Sequence, residues 1–164
     1  MNNYLDSTKI NNVDIIIELI GGSEGPAKKL VFNALKNKKH VVTANKALIS
    51  KYGDQLAKIA EKNKVNLEFE AAVAGGIPII KTIKNSISLD RINKISGILN
   101  GTTNYMLTKM DQTGCSYEAA LKEAQDLGFA EADPTADVEG HDARSKISLL
   151  CRLTLGTWIK DESI

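Results

Sequence analysis

The stretch VDIIIELIGGSEGPAKKLVFNALKNKKHVVT, from Val13 to Thr43, decides the fold class of this 164-residue chain. Its first part, Val13–Leu19, is an apolar, β-branched run that predicts a buried strand. Pro26–Asn37 then predicts a helix, because its apolar residues recur on one side and a proline suits the first helical turn. His40–Thr43 predicts a second strand. A strand, a helix and a strand of these lengths indicate an α/β protein with a parallel sheet.

The same alternation continues beyond this stretch. Tyr52–Lys62 predicts a helix and Val65–Glu70 a third strand, and we expect helices to cover both faces of the parallel sheet. After Glu70 the composition changes to small, flexible residues over Ala71–Gly76. We therefore place a domain boundary here, which divides the chain into residues 1–72 and residues 73–164.

The second half predicts a mixed α+β arrangement. Its predicted elements are a helix that opens over Ile79–Ile83, a strand of a second sheet over Arg91–Leu99, and helices over Asn104–Met110, Ser116–Leu127 and Val138–Gly156. Ser116 is a plausible N-cap, and Gly128 is a stop signal after Leu127.

Composition excludes several classes of protein. Twenty-one basic and twenty acidic residues leave a net charge of +1 without a basic cluster, so we expect no nucleic-acid partner. The longest apolar run, Ile15–Ile20, is interrupted by Glu18 and is too short to span a membrane, and no signal-peptide pattern follows Met1. Cys115 and Cys151 form no CxxC pair. These features predict a cytoplasmic protein with neither a zinc site nor a redox pair.

The segment GFAEADPTADVEGHDARSK, Gly128 to Lys146, carries the candidate chemistry. Asp142 and Lys146 are four residues apart, so on a helix they share a face, and Leu149, Leu150 and Leu153 continue that face. Half-buried charges are uncommon outside functional sites, because their desolvation must be offset by a partner or a ligand. The pair is either part of a site or a structural ion pair under a loop.

A dinucleotide-binding fold usually carries GxGxxG after its first strand, and this chain lacks that motif. Gly21-Gly22 does follow a strand at its carboxyl end, where ligands of open α/β sheets bind. These two glycines could also simply make a turn.

These motifs together resemble the homoserine dehydrogenase family. The signature of that family is matched by Ala124, Gly128, Asp133-Pro134, Asp137, Gly140, Asp142 and Lys146. Four further segments are similar in the same order: ELIGG from Glu18, HVVTANKAL from His40, EAAVAGGIPII from Glu70 and GILNGTTNYML from Gly97. The resemblance implies that residues 1–72 are the C-terminal part of a Rossmann-like nucleotide-binding domain and residues 73–164 a substrate-binding, catalytic and dimerising domain.

The resemblance also implies the reaction. It is the NAD(P)-dependent interconversion of L-aspartate 4-semialdehyde and L-homoserine, on the route to threonine, methionine and isoleucine. Lys146 would protonate the alkoxide that hydride transfer creates, and Asp142 would hold its ammonium. Lys46 would lie beside cofactor and substrate with a second proton-transfer role. The residues alone instead favour a solvated lysine that starts a helix.

Further roles follow from the same resemblance. Substrate binding falls to Glu131, Asp137, Gly101 and Thr102, and cofactor binding to Gly21, Gly22, Asn45 and Lys46. Backbone carbonyls of Glu70, Val73, Gly75 and Ile77 would hold a sodium ion. From the residues, Asp137 is either an N-cap of the catalytic helix or a support behind the substrate, Gly101-Thr102 could be an ordinary turn, and the loop from Glu70 could be a flexible connection.

The chain departs from the family at both ends. It starts after the glycine-rich segment and stops soon after the catalytic helix, so we expect a fragment of a longer enzyme. An inner strand without its neighbour would expose a backbone edge and apolar surface. The fragment either belongs to an active enzyme, or it is a non-catalytic homodimerising module that cannot bind cofactor alone.

Overall fold

The computed structural model describes residues 4–157, 159, 163 and 164. Three strands form one parallel sheet in the order β1 (Ile15–Glu18), β2 (His40–Thr43) and β3 (Leu67–Glu68). The predicted α/β class and parallel sheet are therefore confirmed. The third strand is shorter than predicted, with two residues in place of six.

The helices follow in chain order. They are α1 (Gly25–Lys36), α2 (Lys46–Asn63), α3 (Ile79–Lys81, continued as a π-helical turn over Thr82–Ser86), α4 (Gly101–Thr113), α5 (Tyr117–Asp126), α6 (Thr135–Val138) and α7 (His141–Leu155). Short 3₁₀ turns occupy Tyr4–Lys9 and Glu70–Ala72. None of these described helices combines the length and apolar character needed to cross a membrane.

One hydrophobic core joins the sheet to α7. Ile16 and Val41 of the sheet are buried in the same cluster as Leu56 of α2 and Leu149 of α7. Helices α1 and α2 both pack on this side of the sheet and on each other. A smaller cluster around Met106 lies between α4 and α5. Helix α7 thus packs against α2, and this packing determines where the polar residues of α7 point.

No helix among the described residues covers the other face of the sheet, which corrects the expectation that helices cover both faces. Ile15, Ile17 and Val42 alternate with the buried strand residues, and Ile17 is 65% exposed. The reason is that both crossover helices, α1 and α2, pack on the same side of the sheet. The expected exposure of apolar surface along β1 is confirmed.

The predicted strand Arg91–Leu99 is wrong, because this segment has no regular secondary structure. A strand needs a neighbour for its backbone hydrogen bonds, and the described part of the second half provides none. The apolar side chain of Ile98 is correspondingly exposed.

Three helix starts differ from prediction because of their caps. Helix α2 begins at Lys46 rather than Tyr52, since the side chain of Asn45 accepts a hydrogen bond from the Leu48 amide at 3.1 Å. Asn100 caps α4 in the same way, so that helix begins before Asn104. The predicted long helix from Val138 is interrupted at Gly140, whose φ of 76° favours glycine, and α7 starts after it.

Candidate active site

Asp142 and Lys146 form an ion pair on the inner face of α7. The Lys146 Nζ lies 2.6 Å from Asp142 Oδ2, and the two side chains are 18% and 6% exposed. The spacing of four residues places them one above the other, and Leu149 and Leu150 continue the buried face into the core. The expected pair of half-buried charges is present.

Lys46 reaches the same carboxylate from the first half of the chain. Its Nζ lies 2.6 Å from Asp142 Oδ1, and its side chain is 40% exposed. Lys46 opens α2 directly after β2, so it stands at the carboxyl end of the sheet. Each oxygen of Asp142 therefore holds one ammonium group, one from each half of the molecule.

Asn100 belongs to the same cluster, although the sequence analysis gave it no role in the site. Its Nδ2 donates to Asp142 Oδ2 at 3.0 Å and to Asp137 Oδ1 at 2.7 Å, while its Oδ1 accepts from the Thr103 amide at 2.8 Å. Asn100 thus caps α4 and connects the two aspartates with the same side chain. The signal available in the sequence was an asparagine before Gly101, which is an ordinary cap pattern and does not reveal the bridge.

Asp137 is not the N-cap of the catalytic helix. It lies in α6, and the cap position of α7 is occupied by Gly140, which has no side chain to accept a bond. Asp137 instead accepts a hydrogen bond from Asn100, which is compatible with the alternative prediction of a support behind the site.

The surroundings keep Asp142 ionised. Burial raises the pKa of this carboxyl, but hydrogen bonds from Lys146, Lys46 and Asn100 outweigh burial, so the pKa lies below its usual value of 3.8. At neutral pH the carboxylate is therefore a fixed negative charge between two lysines.

Lys146 stands between two cavities. One has a volume of about 470 Å³ and is lined by Asn100, Gly101, Thr102, Tyr105, Phe129, Asp137, Asp142 and Lys146. The other, of about 590 Å³, is lined among others by Lys46, Gly75, Ile77, Asn100, Gly101 and Lys146. Either volume accommodates a molecule of amino-acid size.

The Lys146 ammonium has capacity for such a molecule. Of its three N–H donors, one faces Asp142 and another donates to the Leu99 carbonyl at 2.7 Å. Among the described residues the third has no partner, and it is available to an oxygen atom in the cavity.

The Gly21-Gly22 turn lies at the same edge of the sheet, after β1. Both glycines have positive φ, 84° and 76°, which a residue with a side chain rarely adopts. Asn45 donates from Nδ2 to the Gly22 carbonyl at 2.8 Å while it caps α2. The turn and the start of α2 are thus neighbours at this edge.

Glu18 is buried beneath that turn. Its Oε1 accepts from the Ile20 and Gly21 amides at 2.7 and 3.0 Å, and its Oε2 accepts from the Thr43 hydroxyl at 2.6 Å. Sequence reasoning noted Glu18 only as an interruption of an apolar run. That interruption was the available signal, because an acidic residue inside a buried strand must be fully hydrogen-bonded.

The predicted substrate residues are only partly brought together. Gly101 lines both cavities, and Thr102 lines the smaller one with its hydroxyl donating to the Phe129 carbonyl at 2.6 Å. Glu131 is exposed and is not among the lining residues of either cavity, and its carbonyl accepts from Gln125. Its side chain is therefore outside the cluster in this structure.

The loop predicted to bind sodium packs beside the larger cavity. The Glu70 carboxylate accepts from the Ile80 and Lys81 amides at 2.9 and 2.8 Å. The carbonyls of Glu70 and Ile77 each accept one backbone hydrogen bond. Across the part of the chain that the structure describes, no group of three histidine, cysteine or acidic side chains has a metal-binding arrangement.

Comparison with known proteins gives consistent matches along the chain. The pattern of the family described as "Homoserine dehydrogenase" matches residues 78–164, and that of "Homoserine dehydrogenase, NAD binding domain" matches residues 3–70. The homoserine dehydrogenase of Bacillus subtilis is 56% identical over 142 residues, which are 87% of this chain and 33% of that protein. The chain spans about a third of the length of the curated relatives it matches.

Solved structures agree with the sequence matches. A homoserine dehydrogenase from Thiobacillus denitrificans superposes with a TM-score of 0.89 at 48% identity, over 96% of this chain and 36% of that one. A hyperthermophilic archaeal homoserine dehydrogenase in complex with NADPH superposes with a TM-score of 0.82 at 33% identity, over 88% and 44%.

Proposed function

Since this chain belongs to the homoserine dehydrogenase family, we propose that it carries the catalytic centre of an enzyme that interconverts L-aspartate 4-semialdehyde and L-homoserine. The observation that carries the proposal is the carboxylate of Asp142, which holds Lys46 and Lys146 at 2.6 Å each beside two cavities. Two positioned ammonium groups suit a reaction in which a carbonyl oxygen becomes negatively charged.

The carboxyl edge of the sheet fits a nicotinamide cofactor. The Gly21-Gly22 turn presents backbone without side chains, and Asn45 and Lys46 stand beside it. We assign these four residues to cofactor binding. When bound there, NAD(P) supplies or accepts the hydride. The domain boundary would fall between residues 72 and 73, so that Lys46 belongs to the first domain and Asp142 to the second.

Lys146 is the proposed acid. As the aldehyde carbon gains hydride, its oxygen becomes an alkoxide, which the third N–H of Lys146 can stabilise and then protonate. The products are the alcohol and a neutral lysine, which regains a proton from solvent. In the opposite direction neutral Lys146 removes the hydroxyl proton.

Asp142 and Lys46 prepare Lys146 for this role. The Asp142 carboxylate holds the ammonium in place, and Asn100 fixes that carboxylate by a hydrogen bond to its Oδ2. Lys46 places a second positive charge on the other oxygen of Asp142 and is the candidate for a second proton transfer.

We assign substrate binding to Glu131, Asp137, Gly101 and Thr102. Gly101 opens α4, so its amide belongs to a helix N-terminus that favours a carboxylate. Glu131 would bind the α-ammonium group, which requires its side chain to turn inward from its exposed position. Asp137 lines the smaller cavity beside Asn100 and would contact the substrate there.

Three further features belong to the proposal. Carbonyls of Glu70, Val73, Gly75 and Ile77 would hold sodium. The Glu70 and Ile77 carbonyls each accept one backbone hydrogen bond, and each keeps a second lone pair for the ion. A homodimer would cover apolar residues such as Ile98 of the unpaired segment. Free thiols at Cys115 and Cys151 fit a reducing, cytoplasmic compartment.

Titration of the purified protein with NADPH, followed by addition of L-aspartate 4-semialdehyde, tests this function. We expect saturable binding and aldehyde-dependent oxidation of NADPH. A folded protein that binds no NADPH would instead support the alternative of a non-catalytic dimerising fragment. Binding without turnover of this aldehyde, but with turnover of another, would reassign the substrate.

A further inference from the structure

Glu18 is a fully buried acidic residue that the proposed chemistry does not use. Within the described residues it forms no ion pair, and its two carboxyl oxygens accept three hydrogen bonds. Burying a carboxylate without a cation costs several kcal/mol unless its lone pairs are satisfied, so this arrangement needs a reason.

The three donors come from two different elements. Two are consecutive backbone amides of the turn after β1, those of Ile20 and Gly21. The third is the hydroxyl of Thr43, the last residue of β2. Glu18 therefore fixes the turn to the neighbouring strand at the carboxyl edge of the sheet.

The hydrogen bonds continue from Thr43 to the start of α2. The Thr43 hydroxyl oxygen accepts from the Asn45 amide at 3.0 Å, and Asn45 Oδ1 accepts from the Leu48 amide at 3.1 Å. Asn45 Nδ2 returns to the turn by donating to the Gly22 carbonyl at 2.8 Å. The network is closed: it starts and ends on the turn and passes through the N-cap of α2.

Lys46 is the first residue of α2, directly after Asn45. The backbone position of Lys46 is therefore set by the network, and its Nζ pairs with Asp142. A shift of the turn would move the start of α2 and with it one of the two ammonium groups at the candidate active site.

We infer that Glu18 is a positioning residue that, through Thr43 and Asn45, holds the cofactor-facing turn and Lys46 in one fixed arrangement. This inference rests on the proposed function for the identity of the cofactor. Its physical content, the coupling of the turn to the N-terminus of α2, stands on the hydrogen bonds alone.

Two threonines provide a matched test in the intact protein. Thr43→Val removes the link between Glu18 and Asn45. Thr8→Val removes an equally buried hydroxyl, which donates to the Leu5 carbonyl at 2.8 Å and accepts from Asn37 at the opposite edge of the sheet. Both variants lose one donated and one accepted hydrogen bond, although only Thr43 donates to a carboxylate. A merely structural role of Thr43 would therefore lower the unfolding free energy in both variants and leave the Kd for NADPH unchanged in both. Glu18→Gln provides a variant of unchanged shape.

We expect Thr43→Val and Glu18→Gln to raise the Kd for NADPH about tenfold, the effect of losing one hydrogen bond to a charged group. They should also lower kcat and leave the KM for the aldehyde unchanged. Thr8→Val should lower the unfolding free energy and leave the Kd for NADPH unchanged. If Thr43→Val and Thr8→Val had the same Kd for NADPH, the inference would be overturned.

Amide hydrogen exchange separates this inference from the proposed function. In Thr43→Val the Gly21 and Leu48 amides should both exchange faster than in the wild type, without any cofactor present. If the wild type binds no NADPH, the proposed function fails, and faster exchange at both amides still supports the coupling. Faster exchange at one of them or neither contradicts it.

Discussion

The Asp142 carboxylate, on the last described helix, lies 2.6 Å from the Lys46 ammonium group at the carboxyl end of the parallel sheet. One ion pair thus connects the half of the chain that matches an NAD-binding domain with the half that lines the smaller of the two cavities. Because the second oxygen of Asp142 holds Lys146, the position of the proposed acid depends on both halves.

Lys146→Ala should lower turnover by at least ~100-fold, because a positioned acid contributes at least that factor. The KM for the aldehyde should change less, since the lost interaction is made mainly with the transition state. Steady-state kinetics of NADPH oxidation measure both constants. Lys62→Ala, at an exposed lysine near the end of α2, provides the control and should keep normal kinetics. Near-normal turnover of Lys146→Ala would remove this lysine from the proton transfer.

Asn100→Ser should lower turnover about tenfold, because serine preserves the cap of α4 but cannot donate to both Asp137 and Asp142. The unfolding free energy should also fall, because hydrogen bonds to carboxylates are lost although the cap is kept. Kinetics and chemical denaturation of the same preparation measure the two effects. Ser116→Ala, which removes the N-cap of α5, should lower the stability and keep normal turnover. Equal effects of both variants on turnover would reject a special role for Asn100.

Glu131→Ala should raise the KM for the amino-acid substrate and leave the KM for the nicotinamide cofactor unchanged. The KM should rise because the variant lacks the carboxylate that binds the α-ammonium group once the Glu131 side chain has turned inward. Glu139→Ala, at an exposed acidic residue nearby, should leave both constants unchanged. An effect of Glu131→Ala on the cofactor alone would reassign this residue.

The low pKa of Asp142 predicts an acid-dependent stability. Because its pKa in the folded protein lies below the usual value of 3.8, the ionised carboxylate stabilises the fold above about pH 4. This stabilisation is lost as the pH falls through the folded-state pKa. Chemical denaturation of the wild type and of Asp142→Asn between pH 7 and pH 2 measures this effect. The unfolding free energy of the variant should fall less on acidification than that of the wild type.

An exposed carboxylate provides the control for this pH dependence. Asp111→Asn on α4 should follow the wild-type curve. Parallel curves for the wild type and Asp142→Asn would show that the cluster does not set the acid stability.

Local pattern predicted much of the fold. The bounds of β2 and nearly those of α1 were readable because strand and helix periods are properties of short segments. Ser116 was recognised as a cap because its bond to the Ala119 amide is local. Arg91–Leu99 was mistaken for a strand because its conformation depends on a pairing partner elsewhere, which local pattern does not reveal.

In the candidate site, too, contacts between residues close in sequence were predictable and contacts between distant residues were not. The Asp142–Lys146 pair was predictable because four residues make one helical turn. The contact of Lys46 with Asp142 and the bridge from Asn100 join residues far apart in sequence, so only the resemblance placed Lys46 near the site. Glu18 was overlooked because its partners are mostly backbone amides, which every sequence contains.

The most direct test of the central claim is a structure of the protein with L-homoserine and the oxidised nicotinamide cofactor bound. We predict that the Lys146 Nζ lies about 3 Å from the hydroxyl oxygen of homoserine, within hydrogen-bond reach for proton transfer, while Asp142 still holds both lysines. A hydroxyl group bound out of reach of Lys146, with this ammonium turned to solvent, would contradict the account.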